Sequence, residues 1–281
     1  MNFILSLIRD STTLDIRTFF IKDWSLSKKI KFLDKKYFLI IKHLFKEFEL
    51  GKDSVVFAEK KIFYDSKYGL AGYQGILCRQ RNLLIKIGKV SNASCIIDVG
   101  ANVGFFSMLC RDLYPKSIIY SFEPIPNTFE CLRKNFKGDK NTKVFNLALG
   151  DFPGEMKMSF DKDNSATSKI DDQGDISVKV DTLDNFRLKE NIKSIDILKI
   201  DTETFENYVL LGAQNILNKV KYILMEVTIK DNDNYTISSL FKLLSTEKYD
   251  FQIIGFRNFT NSGEGVISVM DVLLKNIYLD C

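Results

Sequence analysis

Residues 96–106 read IIDVGANVGFF, and the order of residue types in this stretch decides the fold. The apolar run Cys95-Ile96-Ile97 suits a strand buried on both faces. Asp98 closes the run. Gly100 and Gly104 permit a tight turn with close backbone approach, and Phe105 opens an apolar helical pattern. Strand, glycine turn and helix together are how an open α/β sheet builds a ligand crevice at its carboxyl edge.

The chain around this stretch keeps the same rhythm. "ASCIIDVG" leads into an apolar-faced helix through "FFSMLCRDLY", then the strand "SIIYSFEP". A helix from Asn127 to Phe136 follows, with Phe129, Leu132 and Phe136 on one face, and then the strand "KVFNLALGD". Between 155 and 180 the alternation breaks: "EMKMSF" and "ISVKV" read as strands around the polar loop "DKDNSATSKIDDQGD". "SIDILKIDTE" resumes the pattern. A helix near 206–217 turns Val209, Ala213 and Ile216 inward ahead of "KYILMEV". The strands "FQIIGF" and "VISVMDVLL" flank the turn-rich "RNFTNSGEG", which predicts a terminal antiparallel hairpin. Regular strand–helix alternation predicts a mostly parallel sheet with helices on both faces.

Residues 1–75 differ and read as a helical accessory segment ahead of a main domain over 76–281. Between Lys28 and Phe48, Leu33, Tyr37, Ile40, Ile41, Leu44 and Phe48 recur at helical spacing, and lysines 28, 29, 31, 35, 36, 42 and 46 fill other positions. An amphipathic basic helix of this kind packs on the main domain with a solvated lysine face. Its alternatives are peripheral contact with anionic lipid through 28–48, or a lid over the acceptor site.

Bulk composition narrows the function classes. The chain has 281 residues and is 45% hydrophobic, enough for one sizeable core plus the accessory segment. A formal net charge of +4 is too mild to argue for nucleic acid as a partner, and none is expected. Five cysteines form no C-x-x-C pair and are odd in number, which favours a reducing cytoplasm over a disulfide framework. A single histidine, His43, argues against a zinc site of the usual ligand types. The start "MNFILSLIRD" lacks a basic n-region and a cleavage site, and the longest apolar run, "YFLIIKHLF", is broken by Lys42. A soluble, cytoplasmic protein is the expectation.

The ligand of the glycine turn follows from what the turn lacks. A dinucleotide site wants G-x-G-x-x-G, but Asn102 stands at the middle glycine. The G-K-[ST] of a P-loop is absent. What remains is an acid at each of two strand ends, Asp98 and Glu123. A carboxylate at the second strand end can accept both hydroxyl hydrogens of a ribose, and one beside the first turn suits a cation and repels a phosphate. S-adenosylmethionine has a ribose, an ammonium, a sulfonium and no phosphate.

The segments "DVGANVGFFS", "SFEPIPNTFECLRKN", "NLALGD", "VDTLDNF" and "LKIDTETFENYVLLGAQNIL", in that order, resemble the FkbM-type S-adenosylmethionine-dependent methyltransferases over roughly residues 95–230. The resemblance implies a class I methyltransferase (Rossmann-like) fold: a seven-stranded sheet in the order 3-2-1-4-5-7-6, its seventh strand antiparallel. It also implies methyl transfer, usually to a hydroxyl oxygen. Carried over, Asp98, Gly100, Ala101, Asn102, Gly104 and Phe105 line the methionine end, and Glu123 holds the ribose. Pro124 and Ile125 lie near the adenine, flanked by Ala148 and Leu149. Thr204 stands where the family commonly has the glycine of D-x-E-G.

An alcohol acceptor has to lose its proton, which calls for a general base. In "KIDTETFE", Asp201 and Glu203 are spaced to face the crevice together, and crowding raises carboxylate pKa values. Asp201 ranks first because it ends the strand. Glu206 starts the next helix, Glu226 ends the next strand, and His43 is the reserve base. No spacing demands a metal, and no metal ligand is assigned. The expected activity is O-methylation of a sugar, glycan or other hydroxylated metabolite. The rival is a catalytically silent S-adenosylmethionine-binding module that docks on a membrane or partner through its basic segment.

Overall fold

A computed structural model describes residues 25–45, 54–57, 60–64, 76, 80–81, 83–85, 87, 93–159, 169–170, 173–228, 236–261 and 267–279. Helix α1 (Leu26–Phe45) and a hairpin of β1 (Ser54–Phe57) and β2 (Lys60–Phe63) come first. The main domain runs β3 (Cys95–Val99), α2 (Phe105–Leu113), β4 (Ile118–Phe122), α3 (Pro126–Asn135) and β5 (Thr142–Phe145). A small sheet follows, from β6 (Ala148–Leu149), β7 (Gly154–Ser159), β8 (Lys169–Ile170) and β9 (Ile176–Asp181). The chain then continues through α4 (Leu183–Lys189), β10 (Ile195–Ile200), α5 (Glu206–Leu211), β11 (Val220–Thr228), α6 (Ile237–Lys242), β12 (Phe251–Asn261) and β13 (Ile267–Asn276).

The large sheet has seven strands in the order β12-β13-β11-β10-β3-β4-β5. Counted in chain order from the other edge, that is 3-2-1-4-5-7-6. The last strand, β13, runs antiparallel to both β11 and β12, while β10, β3, β4 and β5 are parallel. The central strands are short apolar runs rich in β-branched residues, so both faces need cover. On one face Ile97, Val99, Phe122, Leu198 and Ile200 pack with Leu183 and Phe186 from α4 and with Val209 and Leu210 from α5. On the other, Ile96, Ile119 and Ile197 meet Phe106, Leu109 and Cys110 of α2. Adjacent residues such as Ile96 and Ile97 thus serve opposite faces, as the pleat requires.

Two sequence expectations change in detail. The segment "KVFNLALGD" is not one strand: β5 stops at Phe145, and Ala148–Leu149 pairs with β9 in the small sheet. The first 75 residues are not purely helical, since β1 and β2 form an antiparallel hairpin there. Phe32, Ile62 and Tyr64 join the core cluster on the α2 face, so this segment packs on the main domain. Helix α1 begins slightly earlier than the periodicity suggests, at Leu26. Phe48 and the side chains of Ile40, Ile41, His43 and Leu44 lie outside the described residues. Among the described cysteines, Cys95, Cys110 and Cys131 are free thiols. No described helix is long and apolar enough to cross a membrane.

Three carboxylates brace the parts of the sheet away from the crevice. Asp196 accepts hydrogen bonds from Ser94 N, Ser94 Oγ and Cys95 N, and from Lys221 Nζ at 3.2 Å. Asp139 takes Arg111, and Asp181 takes Lys189 and Asn185. Burial pushes each of these acids up, but donors to the charged form outweigh it and hold all three below the usual carboxylate range. A depressed folded pKa contributes stability above the unfolded value and loses it as pH falls through the folded one. The contribution of these three acids to unfolding free energy should therefore hold level from neutrality down to about pH 5 and fall below about pH 4. Asp196→Asn should lessen that fall in urea titrations; an unchanged acid limb would remove Asp196 from the account.

Candidate active site

The carboxyl ends of β10, β3 and β4 lie side by side, and the glycine turn emerges from the middle one. Gly100 and Gly104 have φ of +72° and +93°, in the left-handed region that glycine enters at little cost. Gly100 is also a close approach: a Cβ there would sit 1.8 Å from the carbonyl oxygen of Asp201. The turn is thus packed directly against the start of the acidic loop.

Glu123 fastens the turn from the other side. Its Oε2 accepts from Asn102 N at 2.9 Å and its Oε1 from Ile125 N at 2.9 Å, while Ala101 N donates to Phe122 O at 2.8 Å. In a dinucleotide site the N–H groups of such a turn would point at a pyrophosphate. Here a carboxylate occupies one of them. That donor set rejects a phosphate and fits a ligand that brings hydroxyls, so the residues present suit S-adenosylmethionine.

Asp98 is placed differently from the sequence expectation of a ligand-lining residue. It is fully buried, its Oδ2 accepts from Ser107 Oγ at 2.6 Å, and its Oδ1 lies 3.3 Å from Lys199 Nζ. Lys199 also lies 3.4 Å from Asp201 Oδ2 and donates to Gly100 O at 2.7 Å. Burial alone would lower its pKa, but Asp201 and Asp98 outweigh burial and raise it, so the ammonium stays charged. Sequence reasoning missed Lys199. The available signal was a lone cation inside the apolar run "IDILKID".

Asp201, Glu203 and Glu226 come together, each offering a carboxylate oxygen, with all three within 4.8 Å of one another. Glu226 reaches the group from within β11 rather than from its end, opposite Asp271 of β13. Burial first, then Asp201 and Glu206, push Glu203 up to about 8. Burial and then Asp201 and Glu203 push Glu226 up as well. Among the described residues these three carboxylates are the group whose spacing would admit a divalent ion. Protonation of the two glutamates is the other way to relieve the same repulsion.

Glu206 opens α5 as expected and turns back, accepting from Thr202 N at 3.0 Å and Thr202 Oγ1 at 3.1 Å. The loop it closes holds Glu203 and Thr204 at φ of +52° and +78°. Pro124 and Ile125 follow Glu123, and Ile125 shares an apolar cluster with Ala148, while Leu149 joins the main core. Phe105 is half-buried at the head of α2.

Residues 98–253, more than half of the chain, match the family described as the methyltransferase FkbM domain. The chain belongs to this family of S-adenosylmethionine-dependent methyltransferases. Among curated proteins it is 28% identical over 159 residues to hexuronic acid methyltransferase AglP of Haloferax volcanii, covering 56% of this chain and 63% of that one. It is 24% identical over 203 residues to 2-O-methyltransferase NoeI of Sinorhizobium fredii, covering 66% and 80%. To 31-O-demethyl-FK506 methyltransferase FkbM of Streptomyces tacrolimicus it is 26% identical over 154 residues, covering 43% and 59%. The matched stretch therefore spans under two thirds of the length of two of these three relatives.

Thr204, which stands where the resemblance puts a glycine, has a left-handed backbone. A β-branched residue there is strained. Thr204→Gly should raise unfolding free energy by about 1 kcal/mol in denaturant titrations. Gly100→Ala should lower it by about 2–4 kcal/mol, since it meets both a left-handed φ and the Asp201 carbonyl. Equal stability in the two variants would contradict this geometry.

Proposed function

We propose that this chain moves the methyl group of S-adenosylmethionine to a hydroxyl oxygen of a sugar, glycan or other hydroxylated metabolite. The observation that carries the reading is the direct packing of the glycine turn on the acidic loop, with Gly100 against the Asp201 carbonyl. A ligand bound at the turn therefore borders the three carboxylates. The named activities of the relatives, on a hexuronic acid and at 2-O and 31-O positions, support oxygen as the acceptor atom.

Each residue then has a physical task. Glu123, held by the Asn102 and Ile125 N–H groups, accepts the ribose hydroxyls. Pro124, Ile125, Ala148 and Leu149 supply an apolar surface for adenine. Gly100, Ala101, Asn102, Gly104 and Phe105 border the methionine end, and the buried Asp98 acts indirectly by fixing Lys199 and Ser107. Bound S-adenosylmethionine supplies an electrophilic methyl on a sulfonium. The protein's part is to bring the acceptor oxygen into line and remove its proton. Sequence position ranks Asp201 first as the base, but the geometry favours Glu203. Asp201 is held by Lys199, whereas the Glu203 carboxyl, pushed up to about 8, titrates near neutrality. Asp201 then orients the hydroxyl.

Labelled-methyl transfer into a panel of neutral, amino and acidic glycans tests the reading. Turnover should rise with pH through about 8, because Glu203 must be ionised to accept a proton. Glu203→Gln should cost about 10²–10⁴ in rate and flatten that rise. Glu123→Ala should weaken S-adenosylmethionine binding by about 1–3 kcal/mol in calorimetry. Tight cofactor binding without transfer to any acceptor would favour the silent binding module. Activity lost to a chelator and restored by Mg²⁺ would give the three carboxylates to an ion instead of a proton.

A further inference from the structure

The N-terminal hairpin reaches the cofactor turn through one side chain. Strand β2 pairs with β1 along one edge, and its other edge meets Asn135, the last residue of α3. Asn135 Oδ1 accepts from Phe63 N at 2.6 Å and its Nδ2 donates to Phe63 O at 2.8 Å, as a third strand would at that residue. The same Nδ2 donates to Val103 O at 2.8 Å. Val103 belongs to the glycine turn, so one amide holds two segments that are far apart in the chain.

The packing around that amide leaves little slack. Ile62 and Tyr64, on either side of Phe63, are buried in the cluster that holds Phe106 and Leu109 of α2. The half-buried Phe63 ring carries the ammonium groups of Lys61 and Lys134 at 4.9 Å and 5.3 Å from its centroid. Helix α3 also lies hard against the turn. A Cβ on Gly104 would meet the Phe136 ring at 2.5 Å and Leu132 at 2.7 Å. The turn itself needs outside support, because Asn102 is left-handed at φ +50° between two left-handed glycines. The Asn102 N–H is held by Glu123, and the Asn102 side chain accepts from Val103 N at 2.7 Å. Asn135 adds a grip on the Val103 carbonyl. An amide brings one acceptor and two donors, the set that these three bonds require.

We propose that Asn135 is a positioning residue for the cofactor turn, and that through it S-adenosylmethionine binding and the seating of the β1–β2 hairpin stabilise one another. A hairpin that loosens frees the amide and, with it, the Val103 carbonyl. A cofactor that fixes the turn holds the amide toward Phe63. The two effects are one coupling free energy seen from its two ends. The proposal rests on the reading that the cofactor meets the turn, and it is independent of the acceptor and of the base. It makes the N-terminal segment a contributor to cofactor binding rather than a separate accessory.

Hydrogen exchange on the unaltered full chain is the first test. S-adenosylmethionine should slow exchange in peptides covering β1 and β2 by about 10-fold. Asn135→Asp keeps the shape and the acceptor but sets a carboxylate oxygen against two carbonyls. It should weaken S-adenosylmethionine binding by about 10-fold in calorimetry and remove the cofactor's effect on hairpin exchange. Ile62→Ala loosens the hairpin from its core side, away from the Asn135 bonds. It should weaken cofactor binding in the native background and leave it unchanged in Asn135→Asp. Unchanged affinity in Asn135→Asp, beside the expected loss in Glu123→Ala, overturns the proposal and leaves Asn135 a staple of the hairpin. Unchanged affinity in both variants removes the cofactor from the turn, and the proposal falls with that reading. Hairpin exchange indifferent to the cofactor, or Ile62→Ala acting equally in both backgrounds, would overturn it as well.

Discussion

One buried ammonium joins the two sides of the crevice. Lys199 and Asp98 sit directly across from each other on neighbouring parallel strands, both cut off from solvent. On the same face of the sheet Ile96, Ile197 and Phe106 are buried, so neither charge could be tolerated alone. An isolated buried ion costs several kcal/mol, and breaking a buried pair strands the survivor. Asp98, Asp201 and the Gly100 carbonyl thus form a set around Lys199 that works only as a whole. Because one member is the turn and another is the acidic loop, the spacing between these two is set by the fold itself.

That arrangement also divides the carboxylates into two kinds. Asp98 and Asp201 share a cation, whereas Glu203 and Glu226 are driven up by burial first and by Asp201 next. Similar groups a few ångströms apart are pushed in different directions by their surroundings, which is how one site separates an orienting anion from a proton acceptor. In the proposed reaction the crowding is useful because the extra negative charge can be carried as protons until an acceptor arrives.

Much of this was legible in the sequence, for reasons tied to particular segments. Alternating apolar runs and helical patterns predict a mostly parallel sheet covered on both faces, while the strand order was legible only through the resemblance to the family. The closing hairpin follows from the turn-rich "RNFTNSGEG" between two apolar strands. Short elements were harder. β1 and β2 have four residues each, too few for a period, and the break at Asn146 between β5 and β6 shows only in that side chain's bonds to Glu123 O and Pro124 O. In α1 the stripe through Leu33 and Tyr37 was visible, but Phe32, which carries the packing, lies off it. In the site, residue positions were readable and side-chain directions were not. Asp98 marks the turn correctly yet points into the core, and Lys199, which the sequence reading passed over, lies between two carboxylates.

Thr204 separates what a motif encodes from what the structure enforces. Threonine is a poor choice for a left-handed backbone, and Glu203 before it is left-handed too. The conformation survives because the loop is closed from both ends. Glu206, buried at the head of α5, binds the Thr202 N–H and hydroxyl, and Phe205 is buried with its ring stacked on Tyr208 at 4.3 Å. On the near side, the Asp201 carbonyl has no room to move away from Gly100 without opening the Lys199 cluster. Glycine makes such a loop easy, but the contacts around it make it obligatory. The strain at Glu203 and Thr204 is therefore sustained by the same packing that holds the turn, and it keeps the Glu203 carboxyl beside Asp201 where its proton affinity is set.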